Sequence, residues 1–319
     1  RWQDQGGVQP RFFLLFGEGS YDRKQLSFAN PTDLAPTYQS RNSHNGLGTY
    51  SSDDYYGFLD DGEGFWGENL GSGDILYYVA GDTLRNNPGM DLGVGRLPVA
   101  TSQEANDMVD KIIAYQTDPD ARGAWRNRML LVADYLVGEG NLHIGQADGY
   151  TDEIENAYPC INIDKLYMSN YQMESTASGN TYPDGKEALF RALSEGALIA
   201  NYTGHGGETA WSNASILTIS DINQLENKNR LPAFVTATCE FGRWDDPARR
   251  SGAEQLLLNP KGGGIALYTT VRVVLAGSNQ VLNRNFYDEV FRWRTDENRW
   301  PTLGEVFMET KNVSSQGGG

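Results

Sequence analysis

Residues 197–205 read ALIANYTGH and residues 231–239 read LPAFVTATC. Each stretch is a short apolar run that ends in a reactive side chain, and such runs are typical of buried parallel strands. We predict a strand in each stretch, with His205 and Cys239 in the loops that follow. Because ligands bind at the carboxyl ends of the strands in open α/β sheets, the two loops are expected at one edge of a common sheet.

Strands and helices alternate on both sides of these stretches. Strands are predicted at residues 11–16, 75–79, 91–96, 128–133, 160–167, 197–202, 233–238 and 264–269, and helices at residues 102–115, 145–157, 184–194, 219–226, 252–258 and 279–293. This order predicts an α/β fold, a mostly parallel sheet flanked by helices. The turn-rich stretch TDPDARG suggests a division into an N-terminal α/β subdomain, residues 1–122, and a C-terminal catalytic α/β subdomain, residues 123–319.

Composition excludes several classes of partner. The 319 residues carry a net charge of −16, which repels phosphate backbones and anionic lipid. We therefore expect no nucleic-acid partner. The sequence contains no apolar run long enough for a membrane span. We expect the chain to be a segment cut from a longer protein, whose targeting signal lies elsewhere.

The two cysteines, Cys160 and Cys239, are too few for a disulfide framework. A thiol with its ordinary pKa of about 8.5 is mostly protonated at neutral pH, so a nucleophilic Cys239 needs a base such as His205. The amides of Gly206 and Cys239 could then stabilise an oxyanion. The alternatives are a buried core cysteine, a histidine that caps a turn, and a bridge between the two cysteines that would inactivate the thiol.

The segment at residues 201–211, NYTGHGGETAW, resembles the histidine motif of the gingipain family of cysteine peptidases. Residues 231–239 resemble that family's nucleophile strand, and the YYG at 55–57 and the GRLP at 95–98 resemble its N-terminal subdomain. The resemblance implies a caspase-like fold in two subdomains, with His205 as the base and Cys239 as the nucleophile.

Further roles follow from the same resemblance. A third, orienting carboxylate is implied at Asp134, directly after the strand at 128–133; its alternative role is a loop or helix-cap acid. Substrate contacts are implied at a set of residues around the predicted cleft: His143, Asp148, Glu208, Trp211, Thr270 and Leu275. The alternative for the segment with His143 and Asp148 is a surface loop that leads into a helix, and the alternative for an aromatic residue such as Trp211 is core packing.

The sequence after Cys239 is most similar to one branch of the family, the sortase of the type IX secretion system. This implies removal of the C-terminal sorting domain of secreted cargo through a Cys239 thioester. It also implies acyl transfer to an anionic lipopolysaccharide, other outer-membrane secretion components as partners, and a place on the outer face of the bacterial cell. Two other functions stay open: a secreted protease specific for Arg or Lys, and a catalytically inactive binding scaffold.

An acidic loop suggests one ion. The carboxylates of Asp53, Asp54 and Asp60 lie close together in the sequence, and clustered carboxylates in a loop suit calcium. Gingipains bind calcium, so the resemblance implies a structural calcium ion here, with a solvated acidic loop as the alternative. The chemistry itself is expected to require no cofactor.

Overall fold

The structure is a computed structural model that describes residues 9–28, 32–40, 49–59, 68–69, 75–76, 89–136, 138–177 and 179–316. In this part of the chain the strands are β1 (Phe12–Phe16), β2 (Tyr38–Gln39), β3 (Ser51–Ser52), β4 (Glu68–Asn69), β5 (Ile75–Leu76), β6 (Gly93–Leu97), β7 (Arg128–Ala133), β8 (Asn162–Tyr167), β9 (Glu174–Thr176), β10 (Gly179–Thr181), β11 (Ile199–Thr203), β12 (Gly206–Gly207), β13 (Ala210–Trp211), β14 (Leu217–Thr218), β15 (Ala233–Ala237) and β16 (Ala266–Tyr268). The α-helices are α1 (Ser102–Thr117), α2 (Leu142–Asp148), α3 (Thr151–Ala157), α4 (Pro183–Glu195), α5 (Ile219–Ile222), α6 (Gly252–Leu258), α7 (Ala276–Val290) and α8 (Leu303–Gln316).

A five-stranded sheet forms the centre of the fold. Its strand order is β16-β15-β11-β7-β8, and every neighbouring pair is parallel. Parallel neighbours require a crossover connection, and helices supply it between these strands. The α/β fold that the sequence predicts is therefore confirmed.

Side chains of β7 alternate between two hydrophobic clusters on opposite faces of this sheet. Leu130 and Val132 join a cluster that includes residues of α4, α5 and α6, whereas Met129 and Leu131 join one that includes residues of α2, α3, α7 and α8. All four side chains are at most 1% exposed. Each such burial contributes about 1.5–3 kcal/mol, so the central strands are held from both sides.

The N-terminal part has its own small sheet, in which β1 and β6 run parallel. Leu15 and Val94 belong to its hydrophobic cluster, against which Phe307 and Met308 of α8 also pack. A helix from the C-terminal part thus completes the N-terminal core. The division near residue 122 stays a prediction, and the packing of α8 shows that the two parts share side chains.

Several boundaries differ from those predicted. The helix predicted at 145–157 is two helices, α2 and α3, which separate at Gly149, a residue of low helix propensity. The strand predicted at 75–79 lies mostly outside the described residues. The helix α8, the hairpin of β9 and β10 and the small sheet of β12, β13 and β14 were not predicted. Among the described residues, no helix combines the length and apolar character needed to span a membrane.

Glu254 is a buried carboxyl on α6, with 2% of its surface exposed. Its Oε2 accepts hydrogen bonds from the amide and the hydroxyl of Ser251, which caps the helix. Burial raises the pKa of Glu254 to about 7, although the hydrogen bonds from Ser251 and the charge of Arg250 act in the opposite direction. The folded state therefore holds a proton that the unfolded chain releases near its ordinary pKa of 4.5. Stability is lost as the pH rises between these two values.

We expect Glu254→Gln, which keeps an oxygen acceptor for Ser251, to become more stable relative to the unsubstituted protein as the pH rises from about 5 to about 8. The gain should be on the order of 3 kcal/mol, measured by chemical denaturation at both pH values. Glu226→Gln is the control, because Glu226 is an exposed carboxylate near Lys261. If the free energies of unfolding of Glu254→Gln and the unsubstituted protein differed by the same amount at both pH values, the raised pKa of Glu254 would be contradicted.

Candidate active site

His205 and Cys239 follow two neighbouring strands of the central sheet. Thr203 of β11 lies opposite Ala237 of β15, so each reactive residue comes two positions beyond a paired residue. The pairing continues into the loop, where the Gly204 amide donates to the Ala237 carbonyl at 3.2 Å. The expectation that both loops lie at one edge of the sheet is therefore confirmed.

The loop after His205 lies directly against the loop that carries Cys239. A Cβ added at Gly206 would lie 2.5 Å from Oγ1 of Thr238, closer than real Cβ contacts allow. Only glycine leaves room here for the Thr238 side chain against the backbone of the histidine loop. The predicted oxyanion donors, the amides of Gly206 and Cys239, therefore belong to loops in contact, and their catalytic role stays a prediction.

The imidazole of His205 pairs with a carboxylate that the sequence analysis did not single out. Its Nε2 lies 2.9 Å from Oε2 of Glu139, and both side chains are partly exposed. The hydrogen bond from His205 lowers the pKa of the Glu139 carboxyl, so the carboxylate is the stable form. Glu139 stands between Gly138 and Gly140, both with φ in the left-handed region, in the loop after β7. The sequence GEG in that loop is the only signal that could have pointed to it.

Asp134 occupies a different place from the one predicted. It is 3% exposed, and its Oδ1 accepts hydrogen bonds from the Tyr135 amide and the Ser212 hydroxyl, each at 2.8 Å. The Ser212 amide in turn donates to the carbonyl of His205. Asp134 therefore holds the histidine loop through Ser212, and the carboxylate beside the imidazole is Glu139.

The thiol lies in a constrained turn. Cys239 Sγ lies 3.7 Å from the Val274 carbonyl oxygen, and Cys239 and Cys160 are both free thiols. Glu240 follows with φ of 53°, a left-handed conformation that is uncommon outside glycine, and its amide donates to the Arg272 carbonyl. These contacts fix the direction in which the chain leaves the thiol.

Two predicted substrate residues belong to the segment that braces this turn. The Thr270 hydroxyl donates to the Thr238 carbonyl, and the Thr270 carbonyl accepts from the Gly242 amide. Leu275 directly follows Val274, and 62% of its surface is exposed. Leu275 is thus placed where a substrate could reach it, whereas Thr270 supports the nucleophile turn.

The other pair of predicted substrate residues lies on α2. His143 is buried, and its ring centroid lies 5.0 Å from that of His205. Asp148 is held by Lys165, with Nζ to Oδ1 at 2.6 Å, and by the hydroxyl of Tyr167 at 3.0 Å. His143 therefore adjoins the reactive imidazole, and the charge of Asp148 is already paired.

Trp211 and Glu208 do not fit the predicted substrate groove. Trp211 has no exposed surface and stacks on Tyr202 with ring centroids 4.3 Å apart, so it is a core residue. Glu208 forms ion pairs with Arg243 and Arg249. The small sheet of β12, β13 and β14 causes this difference, because it turns the segment after His205 back onto the core.

The proposed calcium ligands are engaged by cations of the protein. Both oxygens of Asp53 accept from the Arg96 guanidinium, at 2.6 and 2.8 Å, and Asp54 pairs with Lys311. Asp60 lies outside the described residues. These ion pairs favour the alternative of an acidic loop without an ion, and a calcium ion here stays a prediction.

A parallel α/β sheet that presents a thiol and an imidazole at adjacent strand ends is the arrangement of a cysteine peptidase. Residues 1–318 match the family described as Peptidase family C25. The chain belongs to this family, the gingipain family of cysteine peptidases, as its sequence predicts.

Individual relatives agree with this assignment. The chain is 26% identical over 164 residues to gingipain R2 of Porphyromonas gingivalis (strain ATCC BAA-308 / W83), which covers 51% of this chain and 21% of that protein. It is 27% identical over 154 residues to Lys-gingipain W83 of Porphyromonas gingivalis, covering 47% of this chain and 8% of that protein. The chain thus spans a minor part of the relatives it matches.

Solved structures share the fold. The crystal structure of the Arg-specific cysteine proteinase gingipain R aligns with a TM-score of 0.64 at 18% identity, over 96% of this chain and 59% of that chain. A second structure, described as a protease, aligns with a TM-score of 0.67 at 16% identity, over 99% of this chain and 60% of that one. The caspase-like α/β fold is therefore confirmed, and the closeness to the sortase branch stays a prediction.

We expect Glu139→Gln to lower kcat by about 10- to 100-fold with little change in KM or Tm, because its carboxylate orients His205 from a partly exposed position. Asp134→Asn should instead lower Tm, because Asp134 is buried and holds the loop through Ser212. Steady-state kinetics and thermal denaturation of both variants test this. Full activity of Glu139→Gln would show that the 2.9 Å contact does not support catalysis.

Proposed function

We propose that this chain is a cysteine endopeptidase in which Cys239 is the nucleophile and His205 the general base. The observation that carries the proposal is the parallel pairing of β11 with β15, which continues through Gly204 into the two reactive loops. The packing of Gly206 on Thr238 keeps those loops together.

The contact with Glu139 assigns the two nitrogens of His205. An ionised carboxylate can only accept a hydrogen bond, so Nε2 carries the proton and donates to Glu139. Nδ1 is then the nitrogen that can accept a proton from Cys239. The thiolate attacks the scissile carbonyl, and the imidazolium afterwards gives its proton to the leaving amine.

The intermediate is a thioester on Cys239. Amides of Gly206 and Cys239 would stabilise the tetrahedral oxyanion, each contributing about 3–4 kcal/mol to the transition state. Water or an amine can then resolve the same thioester, so hydrolysis and transpeptidation share every earlier step.

We expect Cys239→Ala to lower peptide-bond cleavage at least about a thousandfold, because no other residue would form the thioester. Cys160→Ala is the matched control and should keep its activity, because Cys160 lies before β8, outside the two reactive loops. Inactivation by iodoacetamide should follow the labelling of Cys239, read by mass spectrometry. Unchanged cleavage by Cys239→Ala would rule out Cys239 as the nucleophile, whereas no cleavage by the unsubstituted chain would favour the inactive scaffold.

Within the family we propose the sortase function of type IX secretion. The enzyme would remove the C-terminal sorting domain of secreted cargo at the outer face of the cell. It would pass the acyl group to an amine of anionic lipopolysaccharide, together with other outer-membrane secretion components. The resemblance of residues 239–277 to the sortase branch supports this proposal.

The charge around the site also favours a sortase over an Arg- or Lys-specific protease. Asp148, the acid considered for binding a basic side chain, already pairs with Lys165 and Tyr167. A cavity of about 450 Å³ is lined by Val274, whose carbonyl oxygen lies 3.7 Å from the thiol of Cys239. Asp54 is an acid that also lines this cavity, but its charge is already paired with Lys311 and so does not favour a basic substrate side chain.

We expect kcat/KM for small Arg or Lys peptide substrates to be at least about 100-fold below that for cargo with its C-terminal domain. Asp148→Asn should leave kcat/KM for these small substrates almost unchanged, and Lys165→Met, which removes the cation paired with Asp148, should raise it. The mass of the cargo product shows whether water or an amine has resolved the thioester. Efficient cleavage of basic peptides that is lost in Asp148→Asn would instead establish the Arg/Lys-specific protease.

A further inference from the structure

Three side chains converge beside the reactive loops. One ligand atom each from Glu139, His143 and His205 lies within 4.8 Å of the other two. Glu139 Oε2 is the common neighbour, at 2.9 Å from His205 Nε2 and 3.8 Å from His143 Nε2. Catalysis as proposed above uses Glu139 and His205 and gives His143 no part.

The ring of His143 has an unused nitrogen that faces this cluster. Its side chain is 8% exposed, and Nε2 is buried without a hydrogen-bond partner. Nδ1 lies 3.2 Å from Oε1 of Gln146, whose own amide group donates to Gln280. A carbonyl oxygen accepts from Nδ1–H, so Nε2 carries the lone pair. Burying such an acceptor without a partner is costly, and a metal ion would satisfy it.

The distances suit a small ion. Donor atoms about 2.0–2.1 Å from a tetrahedral Zn²⁺ lie about 3.3 Å from one another. The two contacts of Glu139 Oε2, at 2.9 and 3.8 Å, lie on either side of that spacing, and ligand atoms of the two histidines lie within 4.8 Å of each other, so side-chain rotations would bring all three to it. Gln146 already provides the second-shell hydrogen bond that metal-binding histidines require.

The donor set selects the class of metal. Two imidazoles and one carboxylate suit zinc and its neighbours among the divalent transition metals, whereas calcium and magnesium prefer oxygen ligands alone. Three protein ligands leave a fourth position for water.

We propose that Glu139, His143 and His205 form a binding site for Zn²⁺ or a similar transition-metal ion, and that occupancy reversibly switches off the peptidase. The ion would bind Nε2 of His205 in place of the proton held there, and the neutral ring would then carry its proton on Nδ1, so Nδ1 could not accept the proton of Cys239. The same ion would occupy the Glu139 carboxylate, which could no longer orient the ring. The binding itself is independent of the proposed function, whereas the inhibition rests on it.

The test of binding uses the full chain with both thiols removed, Cys160→Ser with Cys239→Ala, so that no sulfur can hold the ion. Zn²⁺ is titrated in competition with a chromophoric chelator. We expect one ion per chain, and at least about tenfold weaker affinity in His143→Gln and in Glu139→Gln. Glu153→Gln is the control, because Glu153 is an exposed carboxylate paired with Arg284. Thermal denaturation establishes that each variant is folded.

Three results would overturn the site: no binding once the thiols are removed, equal affinity in His143→Gln, or equal affinity in Glu139→Gln. If the chain with its thiols does bind Zn²⁺, the first result would mean that a thiol is a ligand. A second measurement uses the chain with its thiols, where each variant is compared with its own metal-free rate. His143→Gln should require at least about tenfold more Zn²⁺ for half inhibition, and a chelator should restore activity. If the chain had no peptidase activity, the chelator titration would still decide whether the site exists.

Discussion

The backbone pairing of β11 with β15 is the constraint on which the rest of the site depends. Parallel register places Thr203 opposite Ala237, and both strands are buried between helices on the two faces of the sheet. A slip of one residue would turn every side chain of a strand to the opposite face and bury the wrong set. The register is therefore fixed by the core, and through it the two reactive loops leave the sheet side by side.

A buried ion pair ties this edge of the sheet to the N-terminal part. Asp245 has no exposed surface, and Arg272 donates to both of its oxygens, one at 2.8 Å, while Ser51 of β3 donates its hydroxyl. Burial alone would raise the pKa of Asp245, but the hydrogen bonds and charge of Arg272 hold it below its usual value. Removing one partner of such a pair leaves a buried charge, which costs about 3–5 kcal/mol. The carbonyl of Arg272 also accepts a hydrogen bond from the Glu240 amide. The ion pair of Asp245 with Arg272 therefore holds the turn that carries Cys239.

Much of this arrangement could be predicted from local patterns. Apolar runs such as the one at 128–133 identify buried strands without any knowledge of their neighbours, and β7 has the predicted bounds. The alternation of these runs with helices indicates parallel pairing, and from it follows the common edge for His205 and Cys239. The helix predicted at 252–258 likewise has the bounds of α6. Family membership came from the motif around His205 together with the nucleophile strand.

What the sequence by itself determined is thus the fold class and the family, and it singled out His205 and Cys239 as the candidate reactive pair, because each follows from periodicity or from a contiguous motif. Only the tertiary structure decided which carboxylate meets the imidazole. Asp134 and Glu139 both follow β7, and the left-handed turns at Gly138 and Gly140 aim the second of them at His205. The burial of Trp211 was decided in the same way, by a small sheet whose two-residue strands carry no readable pattern. Loop direction depends on contacts with residues far away in the chain, and no local pattern encodes those contacts.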